Sequence, residues 1–169
     1  MKLELIRTLY AYSAWANHRV LDVASKLTQE QFSAPGSTSL PSIHEILVHT
    51  LGAQRHWLYR FQKLTPPPFL EKADVSDVAR LRAEWQAVDA QTQTFVDSLD
   101  DAALAEVIQY RNSAGDSFAD PLWQIMTHQV NHATQHRSEV AALLTNFGHS
   151  PGDLDMILYI RLSNENADV

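Results

Sequence analysis

Apolar residues recur along this chain in steps of three and four, the spacing of one helix face, over five separate stretches. The first covers residues 2–26: Leu3, Ile6, Leu9 with Tyr10, Ser13 with Ala14, Ala16 with Asn17, then Val20, Leu21 and Ala24. Thr28-Gln29-Glu30-Gln31 has the capping-box form of a short helical turn, and Ala34-Pro35-Gly36-Ser37 breaks the chain after it. A second helix is expected from near Ser42, because Ser42-Ile43-His44-Glu45 fits the S-x-x-E box behind Pro41. Its stripe is Ile46, Leu47, His49 with Thr50, Ala53, Trp57, Leu58 and Phe61, and Pro66-Pro67-Pro68 is expected to end it.

A third helix is expected from about Val75 to Leu99, capped by Asp74 or Ser76, with Val78, Leu81, Trp85, Val88, Thr92, Phe95, Val96 and Leu99 as its stripe. The stretch from Leu104 to Phe118 reads either as a small hairpin or as an extended crossover. A fourth helix fits residues 121–147, with Asp120 as N-cap, Pro121 at the first helical position, and Gly148 and Pro151 as the stop. At 1.5 Å per residue it spans about 40 Å. A fifth, shorter helix follows from about Asp153 to Leu162, and the last seven residues are expected to fray. Four long amphipathic helices with little strand predict an all-α fold. The expected form is an antiparallel four-helix bundle with one long crossover and a short C-terminal fifth helix, in one domain over residues 1–169.

Composition narrows the chemistry. The 169 residues hold 13 Lys and Arg against 20 Asp and Glu, a formal net charge of −7, which disfavours nucleic acid as a partner. No apolar run approaches the roughly 20 residues of a membrane span. The first twenty residues, with charges scattered through them, do not read as a signal peptide. There is no cysteine, so thiolate metal sites, disulfides and a cysteine nucleophile are excluded, and a cytoplasmic location is expected. There is no G-x-S-x-G elbow, no phosphate loop and no dinucleotide fingerprint.

Histidine is the remaining source of metal chemistry: His18, His44, His49, His56, His128, His132, His136 and His149. On the fourth helix His128, His132 and His136 stand four residues apart. Each such step offsets the side chain by only about 40°, so all three share one face. Two His at i and i+4 can reach one ion, which leaves two pairs open, 128/132 or 132/136. A third ligand must come from another helix, and His49, inside the apolar stripe beside Ile46 and Ala53, is the best choice. The run His44-Glu45-Ile46-Leu47-Val48 begins like H-E-x-x-H but carries Val where the second His belongs. Three imidazoles crowded in a core would each need a partner, and one metal ion supplies all three. His18 is expected at the surface or behind the site, and His149 in a structural role at a helix end. Trp15, Trp57, Trp85 and Trp123 read as core, and Arg137 reads as a solvated surface charge.

These residues resemble a known family. Tyr12-Ser13-Ala14-Trp15-Ala16-Asn17 resembles the first-helix signature of the DinB-like (YfiT-like) metalloenzymes, and Ile43 to Trp57 resembles their second helix. His128-Gln129-Val130-Asn131-His132-Ala133-Thr134-Gln135-His136-Arg137 is similar to their fourth helix, down to the Asn-His and His-Arg pairs. One departure is Ser138, where many relatives have Gly. The resemblance implies a four-helix bundle with a divalent metal held by His49, His132 and His136, and His128 one turn away near the mouth of the site. Zn or Ni lead among the metals, and Fe or Mn suit the same ligands. Characterised relatives include thiol-dependent transferases and isomerases, so the resemblance implies a metal-dependent transferase or hydrolase acting on a small molecule. The nucleophile would be water or a low-molecular-weight thiol. The alternative is a non-catalytic, metal-stabilised bundle in a stress response or as a binding module. Relatives also commonly form homodimers. No nucleic acid and no membrane are expected as partners.

Overall fold

The computed structural model describes residues 2–112 and 114–167. In chain order its elements are α1 (Lys2–Ala24), α2 (Gln29–Ser33), α3 (Ile43–Phe61), α4 (Val78–Asp97), β1 (Val107–Arg111), β2 (Ser117–Pro121), α5 (Leu122–Asn146) and α6 (Met156–Ala167). Among the described residues no helix is long and apolar enough to cross a membrane.

The caps explain most of the boundaries. Thr28 closes a full capping box on α2: its Oγ1 accepts from the Gln31 amide, and Gln31 Oε1 accepts from the Thr28 amide. Ser42 caps α3 by accepting from the Glu45 amide, while the Glu45 carboxylate accepts from the Ser42 hydroxyl instead of reaching the backbone. The α3 helix ends at Phe61, well before the prolines. Lys63, at φ 60°, turns the chain left-handed, with its amide on Arg60 O and the Leu64 amide on Tyr59 O. The α4 helix is capped by Asp77, whose carboxylate accepts from the Arg80 amide; Asp74 instead serves a short 3₁₀ turn by accepting from the Glu71 amide.

The stretch before α5 is a hairpin, with Val107 opposite Pro121 and Arg111 opposite Ser117. Asp120 therefore lies in β2 and is no N-cap: its carboxylate accepts from the Tyr110 hydroxyl at 2.8 Å. Pro121 takes the cap position in extended geometry. Gly148, at φ 80°, stops α5 with its own amide on Thr145 O and the His149 amide on Leu144 O. The last helix is shifted along the chain. Asp153 and Asp155 form a turn before it, and it runs on through Ala167 where fraying is expected; residues 168–169 lie outside the described residues.

The helices α1, α3, α4 and α5 form the bundle. Each of α1 and α3 packs against both α4 and α5, so α1 and α3 stand at opposite corners. The pairs α1/α4 and α3/α5 run antiparallel. Arg82 meets Asp22 at one end of the first pair, and Asp101 accepts from the Leu3 amide at the other. In the second pair Trp57 lies on His128 while His49 faces His132 and His136. By contrast α3 and α4 run in the same direction, with His44 bonded to Val75 O near their starts and Phe61 stacked on Phe95 near their ends. That direction requires residues 62–77 to travel back along α3, and they form the long crossover. Arg55 holds this strap through Pro68 O at 2.7 Å, and Lys72 pairs with Glu45.

Among the described residues the core has two apolar clusters. One gathers Phe32, Ile46, Leu51, Leu81 and Trp85, the other Ile6, Phe61, Val96, Leu104 and Met126. Buried polar side chains, among them Ser13, Asn17, Gln54, Thr92 and Arg137, occupy the level between them. Gln54 alone accepts from Trp85 Nε1 and donates to Asp89 and Thr92. Such a layer is stable because its members satisfy one another.

Candidate metal centre

Antiparallel packing of α3 on α5 brings His49 opposite His132 and His136. His132 Nε2 lies 3.2 Å from His49 Nε2 and 3.2 Å from His136 Nε2, and the three ligand atoms all lie within 4.8 Å of one another. Two imidazole nitrogens that share one ion at about 2.1 Å, with angles between octahedral and tetrahedral, stand about 3.0–3.4 Å apart. The two spacings that include His132 fall inside that range, while the set as a whole is held within 4.8 Å. Without a cation the three nitrogens satisfy one another poorly, because one proton on His132 Nε2 can be donated to only one of its two neighbours. The ring's other nitrogen, Nδ1, is buried with no hydrogen-bond partner among the described residues. The donor set therefore fits a divalent ion, and three neutral nitrogens leave further coordination positions open.

Electrostatics favour the neutral, ligating forms. Burial is the main cause that lowers His49, and neighbouring His136 adds to it. Burial, then His136, His49 and His128, bring His132 down to about 4. His136 is oriented from behind. Its Nδ1 bonds Glu139 Oε2 at 2.8 Å, which places the proton on Nδ1 and turns the Nε2 lone pair to the centre. Glu139 also accepts from the Ser39 hydroxyl at 2.8 Å and the Ser39 amide at 3.4 Å, so the loop before α3 is tied to a ligand.

The other histidines separate from this group. His128 is exposed one turn away, its ring 6.1 Å from that of His132 and edge-on to Trp57. His44 is buried on Val75 O and against Phe32, and His56 is buried under Phe69. His18 pairs with Asp89 at 3.0 Å, away from the centre. His149 contributes its backbone amide to the α5 stop.

Two expectations need correction. Arg137 is not a solvated charge: it is 4% exposed and donates to Asn17 Oδ1, Ser13 Oγ and Thr134 Oγ1, with Tyr12 beneath its plane. Of the four tryptophans only Trp85 is fully buried; Trp15 and Trp57 are partly covered, and Trp123 is exposed. Ser138 is exposed and donates to Thr134 O, so a side chain there costs the packing nothing. Glu139 and Ser39 were the site residues missed. Glu139 sits three residues after His136 on the same helix, a spacing that sequence alone could have flagged.

Beside His49 opens a cleft of about 700 Å³ between α3, the loop at Leu40-Pro41 and the strap at residues 69–73. Val48, Leu40, Phe69 and Leu70 give it apolar walls, and the Glu45–Lys72 pair stands at its rim. Its size suits a small-molecule site.

Comparison with known proteins agrees with this architecture. The model of the DinB family matches residues 1–167. Protein DinB of Bacillus subtilis strain 168 is 22% identical over 159 residues, which cover 90% of this chain and 91% of that protein. Among solved structures, YfiT from Bacillus subtilis, a probable metal-dependent hydrolase with an unusual four-helix bundle topology, superimposes with a TM-score of 0.69. It is 13% identical, over 87% of this chain and 90% of its own. A conserved protein from Enterococcus faecalis follows at 0.63 and 12% identity, over 80% and 92%.

Proposed function

This chain belongs to the DinB family, and from that premise we propose that it is a metal-dependent enzyme, a hydrolase or a thiol-dependent transferase, with His49, His132 and His136 as the ligands of one divalent cation. The observation that carries the reading is the clustering of three imidazoles, their ligand atoms within 4.8 Å of one another and two pairs at 3.2 Å, beside a cleft. The description of YfiT as a probable metal-dependent hydrolase supports it. Zn or Ni are the proposed metals.

A divalent cation held there supplies Lewis acidity and makes water or a thiol a nucleophile at neutral pH. The chain's residues do the rest. Glu139 keeps His136 in the ligating tautomer, and burial keeps His49 and His132 unprotonated. The walls of the cleft bring the substrate to the His49 side of the centre. The chain has no cysteine, so a thiol nucleophile must arrive as a small molecule.

The test is metal analysis of purified protein, followed by ester hydrolysis and by consumption of a low-molecular-weight thiol against an electrophile, with and without chelator. Turnover that needs both the metal and His132 supports the proposal. Bound metal that raises the melting temperature, with no turnover of either kind, selects the non-catalytic bundle instead.

A further inference from the structure

The cleft beside His49 contains a glycine that its packing does not require. Gly52 lies in the middle of α3, where alanine would favour the helix by about 1 kcal/mol. A Cβ built there meets nothing closer than 3.8 Å, at Leu70, and 3.9 Å, at Phe69. Both are ordinary contacts, so neither the strap nor the helix backbone excludes a side chain. What the missing Cβ leaves is a gap about one methyl group wide against Leu70 and Phe69 in the cleft lining, one turn along α3 from His49.

Phe69 stands next to that space. One face of its ring is stacked on buried His56, with centroids 3.7 Å apart and planes at 19°. The residue is nonetheless 50% exposed and lines the cleft. A ring held on one face and half exposed in a cleft lining offers a stacking surface. Without a bound cation the charged side chains lining the cleft disfavour an anion: Lys72 is already paired with Glu45, and Glu71 adds a further negative charge.

We propose that the cleft binds a neutral aromatic substrate, its ring stacked on Phe69 with its edge beside Gly52 and its reactive group directed toward His49. This deepens the proposed function and rests on it for the reaction, but ring binding itself needs no metal.

The probe is N-phenyl-1-naphthylamine, a neutral aromatic fluorophore whose emission rises in apolar surroundings, titrated into the full chain with and without Zn²⁺. Saturable binding to one site is expected, retained in His132→Ala and about tenfold weaker in Phe69→Ala, the loss of one aromatic stack. Gly52→Ala, which the helix favours and which therefore folds, is expected to weaken binding several-fold. In the arm without Zn²⁺ the anionic relative 8-anilinonaphthalene-1-sulfonate is expected to bind at least about tenfold more weakly than the neutral probe, since its charge meets Glu71 and finds Lys72 already paired. Unchanged affinity in both Phe69→Ala and Gly52→Ala, or equal binding of the sulfonate without Zn²⁺, overturns the inference. Probe binding that behaves as expected in a protein that takes up no metal leaves this inference standing and removes the metal reading alone.

Discussion

Replacing Glu139 with Ala should weaken metal binding without touching a ligand. The carboxylate accepts from His136 Nδ1 at 2.8 Å and from Ser39 at 2.8 and 3.4 Å, and its side chain is only 19% exposed. Removing it frees the His136 ring to rotate, lets the proton move to Nε2, and takes a negative charge from behind a cation ligand. Partners of this kind typically contribute 10–100-fold in metal affinity, about 1.4–2.7 kcal/mol. Glu139→Gln keeps the shape and one acceptor oxygen, so its loss should fall between wild type and Ala. Ser39→Ala, which leaves the His136 contact intact, should lose least. The assay is competition for Zn²⁺ against a chromophoric chelator at pH 7.5, paired with thermal melting of the metal-free protein. An Ala variant that binds Zn²⁺ as tightly as wild type refutes the orienting role. So does a loss that is matched by Ser39→Ala and tracks a lower melting temperature.

Other consequences concern the frame around the site. Arg137→Met should lower stability by about 2–3 kcal/mol in urea unfolding, because Asn17 and Thr134 lose a charged donor inside the bundle; a change below about 0.5 kcal/mol, typical of surface sites, contradicts its burial. Gly148→Ala should cost about 1 kcal/mol in the same experiment, since alanine resists the φ of 80° that ends α5. In the metal-free protein His132 titrates near 4, below the roughly 6.5 of the unfolded chain. The unfolded state then binds more protons in that window, so stability should fall as the pH drops from about 6.5 towards 4. His132→Asn should flatten that part of the urea-stability profile against pH.

Much of this was legible in the sequence because helical periodicity and four-residue spacing are local signals. The four long stripes became α1, α3, α4 and α5, and the step from His132 to His136 put two imidazoles on one face before any packing was known. His49 stood out as the inward histidine of the facing helix. The unreadable parts depend on contacts far along the chain. Arg137 looks like a surface charge because its partners, Ser13 and Asn17, lie more than 100 residues away on α1. The parallel run of α3 and α4 is a property of the strap, whose prolines suggest only a break. The end of α3 was misplaced because a left-handed Lys63 does the work usually assigned to glycine. Asp120 next to Pro121 carries a convincing cap signal, yet Tyr110 across the hairpin claims its carboxylate.

The central claim is that His49, His132 and His136 together hold one cation. Elemental analysis and calorimetric Zn²⁺ titration of the wild type and of the three single His→Ala variants address it directly. One equivalent of divalent metal per wild-type chain, with binding lost or severely weakened in each variant, is the predicted result. A wild-type protein that takes up no metal, or a variant lacking all three histidines that still binds one equivalent at wild-type affinity, would contradict it.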